Sequence, residues 1–561
     1  MPSLEDGDVP HVVNVGHQPE KEKEKEKDES HVQASEKRRR RRGEGSRTLQ
    51  RLKGISMIGT SLLELRGVVP VPLEERTSTR YSSFFSIWIS ININLLPITF
   101  GMLGPFLGLS LVASSLVIVL FCALTAAMPA YLGTLGPRTG MRQMVQARFS
   151  FGKAGVVVPV LLNLATLTGY CVVSSVIGAQ CLVAVSGGSG GNDDGKGDGA
   201  ALTPALGIAI IGIACLLISF CGYRVLHTYE RWAWIPGLLA VVITAGCAGK
   251  GLASQSQESS STNTVAGVFS FGMVIASYMI PYAAMASDFT TYLSPSFPSW
   301  KLFLYGFAGL TLPSIPLMVL GAAIGGALPN HPSWEKGYET NFLGGTLASI
   351  LLKPLGAGFG RLILVILSLT LIGNNAATLY SITLNCQLLS PRLLARVPRS
   401  VFSVLVTAVV IPVGIRAAED FYQNLQNFIA LIAYWSAAFV AVVVVEHVCF
   451  RSRRRRRRRD GNPEEEAAGV VVRDGIGAEV EVEEEAYDLD AWDNASKLPW
   501  GVAALGAAVS SFGLVIPSMA QVWFTGPIAR TTGDVGFELA FVVTAILYIP
   551  FRALEKRLCG R

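Results

Sequence analysis

From about residue 80 onward, long apolar runs alternate with short polar stretches. A helix needs about twenty apolar residues to cross a hydrocarbon layer roughly 30 Å thick. Twelve runs meet that length: 83–107, 111–135, 155–185, 203–222, 232–250, 265–286, 302–328, 357–388, 399–416, 427–449, 498–520 and 534–553. Several exceed twenty residues, which leaves room for tilt or interruption. The pattern predicts an all-α polytopic membrane protein with twelve transmembrane helices.

Polar residues inside these runs carry more information than the runs themselves. The eighth contains "LIGNNAATLYS", which puts Asn374 and Asn375 where hydrocarbon would be the solvent. An unpaired side-chain amide there costs several kcal/mol. The first run reads "WISININLLPITFGMLGP" and the sixth "SFGMVIASYMIPYAAMASDFTTY", with Pro281 in its middle. Proline removes a backbone donor, and the freed carbonyl is tolerated at membrane depth only inside protein or beside water. A packing kink explains either run alone. Breaks at corresponding places in two halves point instead to an inverted-repeat transporter with a midplane site. Candidates to line it are Ser90 and Asn92, Tyr170 and Ser174, Tyr282, and Asn374, Asn375 and Thr378. Tyr170 and Ser174 are four residues apart, as are Asn374 and Thr378, so each pair shares a helical face.

Composition supports the membrane reading. Of 561 residues, 50% are hydrophobic and 16% charged, against about 25% charged in soluble domains. Much of the charge sits in "EKEKEKEKDE", "EKRRRRRGE" and the stretch 451–485. Lysine and arginine are concentrated in alternate loops, such as "GPRTGMRQMVQARFSFGK" and "SPRLLARVPRS". By the positive-inside rule both termini are expected to be cytoplasmic. The sequon at Asn494 then lies inside and unused. The polar N-terminus predicts no cleaved signal peptide. Arginine runs beside the first and tenth spans suit contact with anionic lipid rather than nucleic acid. Nine scattered cysteines show no metal-ligand spacing, and no HExxH, GxSxG or intramembrane carboxylate pair suggests an enzyme. No cofactor or metal is expected.

Five segments carry a family likeness: "GMRQMVQARFSFG", "GYRVLHTYERWAWIP", "DFTTYLSP", "YDLDAWDN…LPWG" and "GDVGFELA". Over Glu64 to the end, the chain resembles the fungal purine-cytosine permeases of the nucleobase-cation-symport-1 superfamily. That resemblance implies a leucine-transporter-like 5+5 inverted repeat with two extra helices. The expected divisions are a charged cytoplasmic tail (1–63), a ten-helix core (64–450, repeats about 83–250 and 265–450), a cytoplasmic loop (451–497) and a last helix pair (498–561). It also implies proton-driven import at the plasma membrane and an aromatic sandwich for a flat heterocycle. The stacking positions fall on Tyr170 and Tyr282, the first-span serine on Ser90, and the paired amides on Asn374 and Asn375. The glutamate after the fifth-span signature tyrosine falls on Glu230.

The match departs from the family at two amides: Ser174 stands for an asparagine, and "NNAAT" replaces "NNxPN", so Thr378 stands for another. A hydroxyl satisfies a nucleobase edge singly where an amide does so in pairs. Two ligand readings therefore stay open: purine or cytosine, or another flat heterocycle such as a pyridoxine-type vitamin, uracil or allantoin. Glu230 and Asp288 are the acidic candidates for proton coupling or gating. A sodium route would use Ser368 and Thr370 with carbonyls of the broken first helix. A non-transporting nutrient sensor on the same scaffold is the alternative from another class, with the tails as its signalling parts.

Overall fold

The computed structural model describes residues 67–187, 202–220, 222–255, 264–390, 393–394, 397–451, 471–473, 479–481 and 487–561. The N-terminal tail and the Arg453–Arg459 run, with the lipid contacts expected of them, lie outside the described residues. The helices that matter here are α1 (Ser82–Asn92), α2 (Leu95–Phe106), α3 (Leu111–Gly133), α4 (Gln143–Gly155), α5 (Val157–Val185), α6 (Pro204–Phe220) and α7 (Gly222–Ala248). They continue as α8 (Thr264–Met279), α9 (Ser299–Ala327), α10 (Pro332–Leu389), α11 (Arg399–Ala417), α12 (Phe421–Val445), α13 (Val502–Ser518) and α14 (Gly536–Cys559). The described strands are Val471–Arg473 and Glu479–Glu481, an antiparallel ribbon in the loop before α13. The architecture is otherwise helical.

Among the described residues, nine helices are long and apolar enough to cross a membrane, ten when α1 and α2 count as one bent span. Two further apolar helices, α6 and α13, have 17 residues each. On α3, Val112, Leu116, Val119, Leu120 and Leu124 form an exposed stripe, from 48% to 70% accessible. Such a stripe at helical spacing cannot face water cheaply, and a bilayer is the solvent that suits it.

Both expected interruptions are present. Between α1 and α2 the chain bends by 59°. Asn94 makes the break: extended backbone ends one helix, and its Oδ1 accepts from Leu96 N at 2.7 Å to cap the next. Its Nδ2 donates to Ile91 O at 2.5 Å, a carbonyl that a continuous helix would have bonded to Leu95. Pro97 then falls in the first turn of α2, where a missing N–H costs nothing. In the sixth span, α8 stops at Met279 and the chain continues as 3₁₀ turns over Ile280–Ala284 and Ala286–Phe289. Where the sequence pattern suggested one span and a preceding loop, α10 is a kinked 58-residue helix. Its non-helical backbone lies at Asn341, Phe342 and Gly356, so the loop "NHPSWEKGYETN" is itself largely helical.

Two groups of helices meet at the breaks. α9 packs on α1, α2 and α3, while α10 runs along α5. Contact in the first group is close: a Cβ added to Gly101 would lie 1.9 Å from Met318 O, and one on Gly321 would lie 2.1 Å from Ile98 O.

Candidate functional site

Between α5, the unwound sixth span and α10 lies a tight cavity of about 10 Å³, room for about one water, so that a ring can enter only as the walls part. Its walls are Leu167 and Tyr170 from α5, Tyr278, Pro281, Tyr282 and Met285 from the sixth span, and Asn374 and Thr378 from α10. Four residues anticipated from sequence thus meet there: Tyr170, Tyr282, Asn374 and Thr378.

Proline creates the central contact. Pro281 has no N–H, so Ser277 O loses its helical partner four residues on. The Tyr170 hydroxyl takes its place, donating to Ser277 O at 2.6 Å. That bond ties α5 to the unwound span. The Tyr170 ring leans edge-on against Phe428 at 5.5 Å, and the Tyr282 ring is held by Trp88 at 5.1 Å and Tyr278 at 5.8 Å. The two phenols that were expected to stack a ligand are each buttressed by other rings.

The remaining candidates sit around the cavity rather than on it. Ser174 Oγ accepts from Asn374 Nδ2 at 3.5 Å, and Ser175 Oγ accepts from Asn375 Nδ2 at 3.4 Å. Adjacent amides on α10 therefore turn to adjacent serines on α5, which gives both a partner in the bundle. Asn375 does not reach the cavity. Asn92 is fully buried behind it: its Nδ2 donates to Trp88 O at 2.8 Å, and its Oδ1 accepts from Tyr278 Oη at 2.8 Å and Ser314 Oγ at 3.2 Å. Ser90 is buried on the same half-helix, away from the cavity.

The coupling candidates separate in space. Asp288 is buried at the end of the unwound span; its carboxylate accepts from Gln143 N at 2.9 Å and Ser381 Oγ at 3.0 Å. Arg142 donates to the Asp288 carbonyl and lies over the Tyr292 and Tyr380 rings. Ser368 donates to Gly178 O on α5 at 2.8 Å. Thr370 donates to Leu367 O of its own helix at 2.5 Å, although its methyl and Ile93 O both neighbour Gly237 of α7. The backbone of Glu230 lies in α7, but its side chain falls in the stretch 222–231, outside the described residues.

Tyr278 is the polar wall residue that sequence reasoning missed, beside the apolar Leu167 and Met285. It stands four positions before Tyr282 in "SYMIPY", the same spacing used to pair Tyr170 with Ser174. The Arg148–Asp493 pair was equally legible as charge in two motifs, yet nothing local joined them. Arg148 Nη1 meets Asp493 at 3.0 Å and Lys153 Nζ meets it at 2.9 Å, clamping α4 to the segment before α13.

Two broken helices, one of them walling a small, part-polar cavity, within a shell of helices with exposed apolar stripes, define a multi-pass membrane transporter rather than an enzyme. Residues 70–460 match the family of permeases for cytosine/purines, uracil, thiamine and allantoin, and the chain belongs to that family. The purine-cytosine permease fcyB of Emericella nidulans is 32% identical over 504 residues, 89% of this chain and 90% of that protein. The purine-cytosine permease FCY2 of Saccharomyces cerevisiae is 31% identical, covering 89% and 87%. The vitamin B6 transporter TPN1 of the same yeast is 27% identical, covering 87% of each. Among solved structures, the nucleobase-cation-symport-1 transporter MHP1, closed on bromovinylhydantoin, aligns with a TM-score of 0.61 at 16% identity over 88% of this chain and 96% of its own. That likeness shows the leucine-transporter-like fold.

Proposed function

We propose that the chain is a proton-coupled importer of purine nucleobases or cytosine. It works by alternating access in the plasma membrane, with twelve spans and both termini in the cytoplasm. The carrying observation is that Tyr170, Tyr282 and Asn374, contributed by three different spans, line one cavity at the break of the sixth. A flat ring lies between the phenols and Asn374 reads its edge. A missing hydrogen bond in so dry a site leaves the amide unpaired, which is how such a site rejects near-isosteres. The named relatives, two purine-cytosine permeases, support this reading.

Alternating access has a structural counterpart in the two helix groups. Tyr278 and Tyr282 move with α3 and α9, and Tyr170, Asn374 and Thr378 with α5 and α10. The Tyr170–Ser277 and Ser381–Asp288 bonds cross that divide and must break on opening. Asp288 is the coupling candidate, because protonation removes the charge that its three neighbours hold. One proton falling through 100 mV supplies about 2.3 kcal/mol. A pH unit adds about 1.4 kcal/mol.

The second reading, a pyridoxine-type vitamin, is favoured by the phenol- and threonine-lined wall and by the vitamin B6 transporter among the relatives. The test is accumulation of radiolabelled adenine, cytosine and pyridoxine in transport-deficient cells, against external pH and with or without sodium. Concentrative adenine or cytosine uptake that rises with acidity supports the proposal. Pyridoxine alone supports the second reading, sodium dependence removes the proton, and binding without accumulation makes the protein a sensor.

A further inference from the structure

A second space opens on the flank of the molecule, between the first turns of α1 and α9. Glycines on α9 bring the two helices together: a Cβ on Gly306 would lie 2.5 Å from the Phe84 ring, and one on Gly309 would lie 2.8 Å from Phe85 O. Beside that contact the short side chain of Ala308 leaves a groove between Phe85 of α1 and Leu304 and Tyr305 of α9, with Lys301 at its entrance. The groove has about 390 Å³ of room, where the central cavity has about 10 Å³. From Lys301 to Ala308 it runs about 10 Å along the helix. Leu304 and Tyr305 are exposed along it, so in a bilayer it opens to lipid.

The entrance has the chemistry of a membrane interface. Trp300 is exposed, and the Lys301 ammonium lies over its ring at 5.5 Å. Tyr305 ends a row of stacked rings: Tyr81 lies on Phe297 at 3.8 Å, and Phe297 on Tyr305 at 6.1 Å, which holds that wall of the groove in place. Lys301 makes no ion pair among the described residues, Glu74 and Glu75 included. Arg80 is exposed just ahead of α1, and neither helix has a side-chain cap, so two positive helix ends lie at the same level. The geometry points to a binding site for an anionic phospholipid, with one acyl chain along Phe85, Leu304 and Ala308 and the phosphate on Lys301. Burying the chain selects nothing by itself, because bulk lipid tails are as apolar as leucine. Selection comes from the charge at Lys301, which a sterol hydroxyl does not use. The lipid ties the first half of the broken span to α9 away from the central cavity, so the site is independent of which heterocycle is carried.

The test places the full chain in mixed detergent–lipid micelles with a phosphatidylserine that carries a photoactivatable diazirine on one acyl chain, and maps the cross-linked peptides by mass spectrometry. Label is expected on α1 near Phe85 and on α9 from Leu304 to Ala308, above its level on the exposed α3 stripe, which samples bulk lipid. Unlabelled phosphatidylserine should compete there about five-fold better than phosphatidylcholine with the same chains, the worth of one lysine near an anionic head group. Reading the label peptide by peptide keeps the arginine runs elsewhere in the chain out of the measurement. Lys301→Gln, an exposed change, should remove the preference. Ala308→Phe fills the groove and should remove the label there while the α3 label stays. Labelling no stronger than on α3, equal competition by the two lipids, or a preference unmoved in Lys301→Gln overturns the proposal. Ergosterol competing better than phosphatidylserine makes the occupant a sterol and overturns it as well.

Discussion

Asn374 and Asn375 are chemically identical neighbours with opposite surroundings, and replacing each by alanine separates site from scaffold. Asn374 lines the cavity, and its only side-chain bond among the described residues is the 3.5 Å contact to Ser174, at the outer limit of a hydrogen bond. Asn374→Ala therefore takes little from folding. It takes the ligand's edge partner, and a donor left unpaired in a dry site costs about 1–3 kcal/mol. At about 1.4 kcal/mol per tenfold, KM for adenine should rise roughly 5- to 150-fold. Asn375 points to Ser175, away from the cavity, and its buried Oδ1 has no partner among the described residues. Asn375→Ala should leave KM within about two-fold, since its loss exposes no ligand group. The assay is initial-rate uptake of labelled adenine across a concentration series, normalised to surface protein by a fluorescent tag. Wild-type KM in Asn374→Ala, or a larger KM defect in Asn375→Ala, would refute the reasoning.

Three further outcomes follow from the packing. Gly101→Val forces side-chain carbon into the Met318 carbonyl; a cost of about 3 kcal/mol or more is expected for such overpacking, read as lost surface expression and a lower melting temperature in detergent. Arg552 lies buried against Glu446 at 3.1 Å and Glu555 at 3.0 Å. Arg552→Ala leaves Glu446 paired with Arg451, 3.0 Å away, and Glu555 without its cation, at about 3 kcal/mol, and Arg552→Met with Glu555→Gln should recover part of that in the same thermal assay. Burial raises the Asp493 carboxyl, but Lys153 and Arg148 outweigh it and hold the group below its ordinary value of 3.8. Its folded pKa is depressed, so the clamp's contribution is fully present at neutral pH and is lost only as pH falls below about 4. Asp493→Asn should thus expose the 487–501 segment to protease at pH 7, by a margin that shrinks as pH falls below about 4 toward the lowered folded pKa; a margin that does not shrink would contradict the assignment.

The sequence disclosed the broken spans because proline and asparagine are rare at that depth for physical reasons, and Pro281 and Asn94 do what their chemistry requires. It placed the break of the first span loosely, since Pro97 looks disruptive yet sits harmlessly in a first turn. It could not say which of two adjacent amides faces the cavity: a 100° turn around α10 decides that, and both positions read as the same letter. The hydrogen-bond polarity of Tyr170 was equally hidden, because it depends on a carbonyl orphaned 107 residues away in the chain. The helical loop before the eighth span lacked a signal, as its polar composition fits a coil equally well.

The central claim, that the cavity between α5, the unwound sixth span and α10 holds the transported heterocycle, is tested most directly by a cryo-electron microscopy map of the protein with adenine bound. The account predicts ring density between Tyr170 and Tyr282 with its edge at hydrogen-bond distance from Asn374. Adenine bound elsewhere, with those three side chains unoccupied, would contradict it.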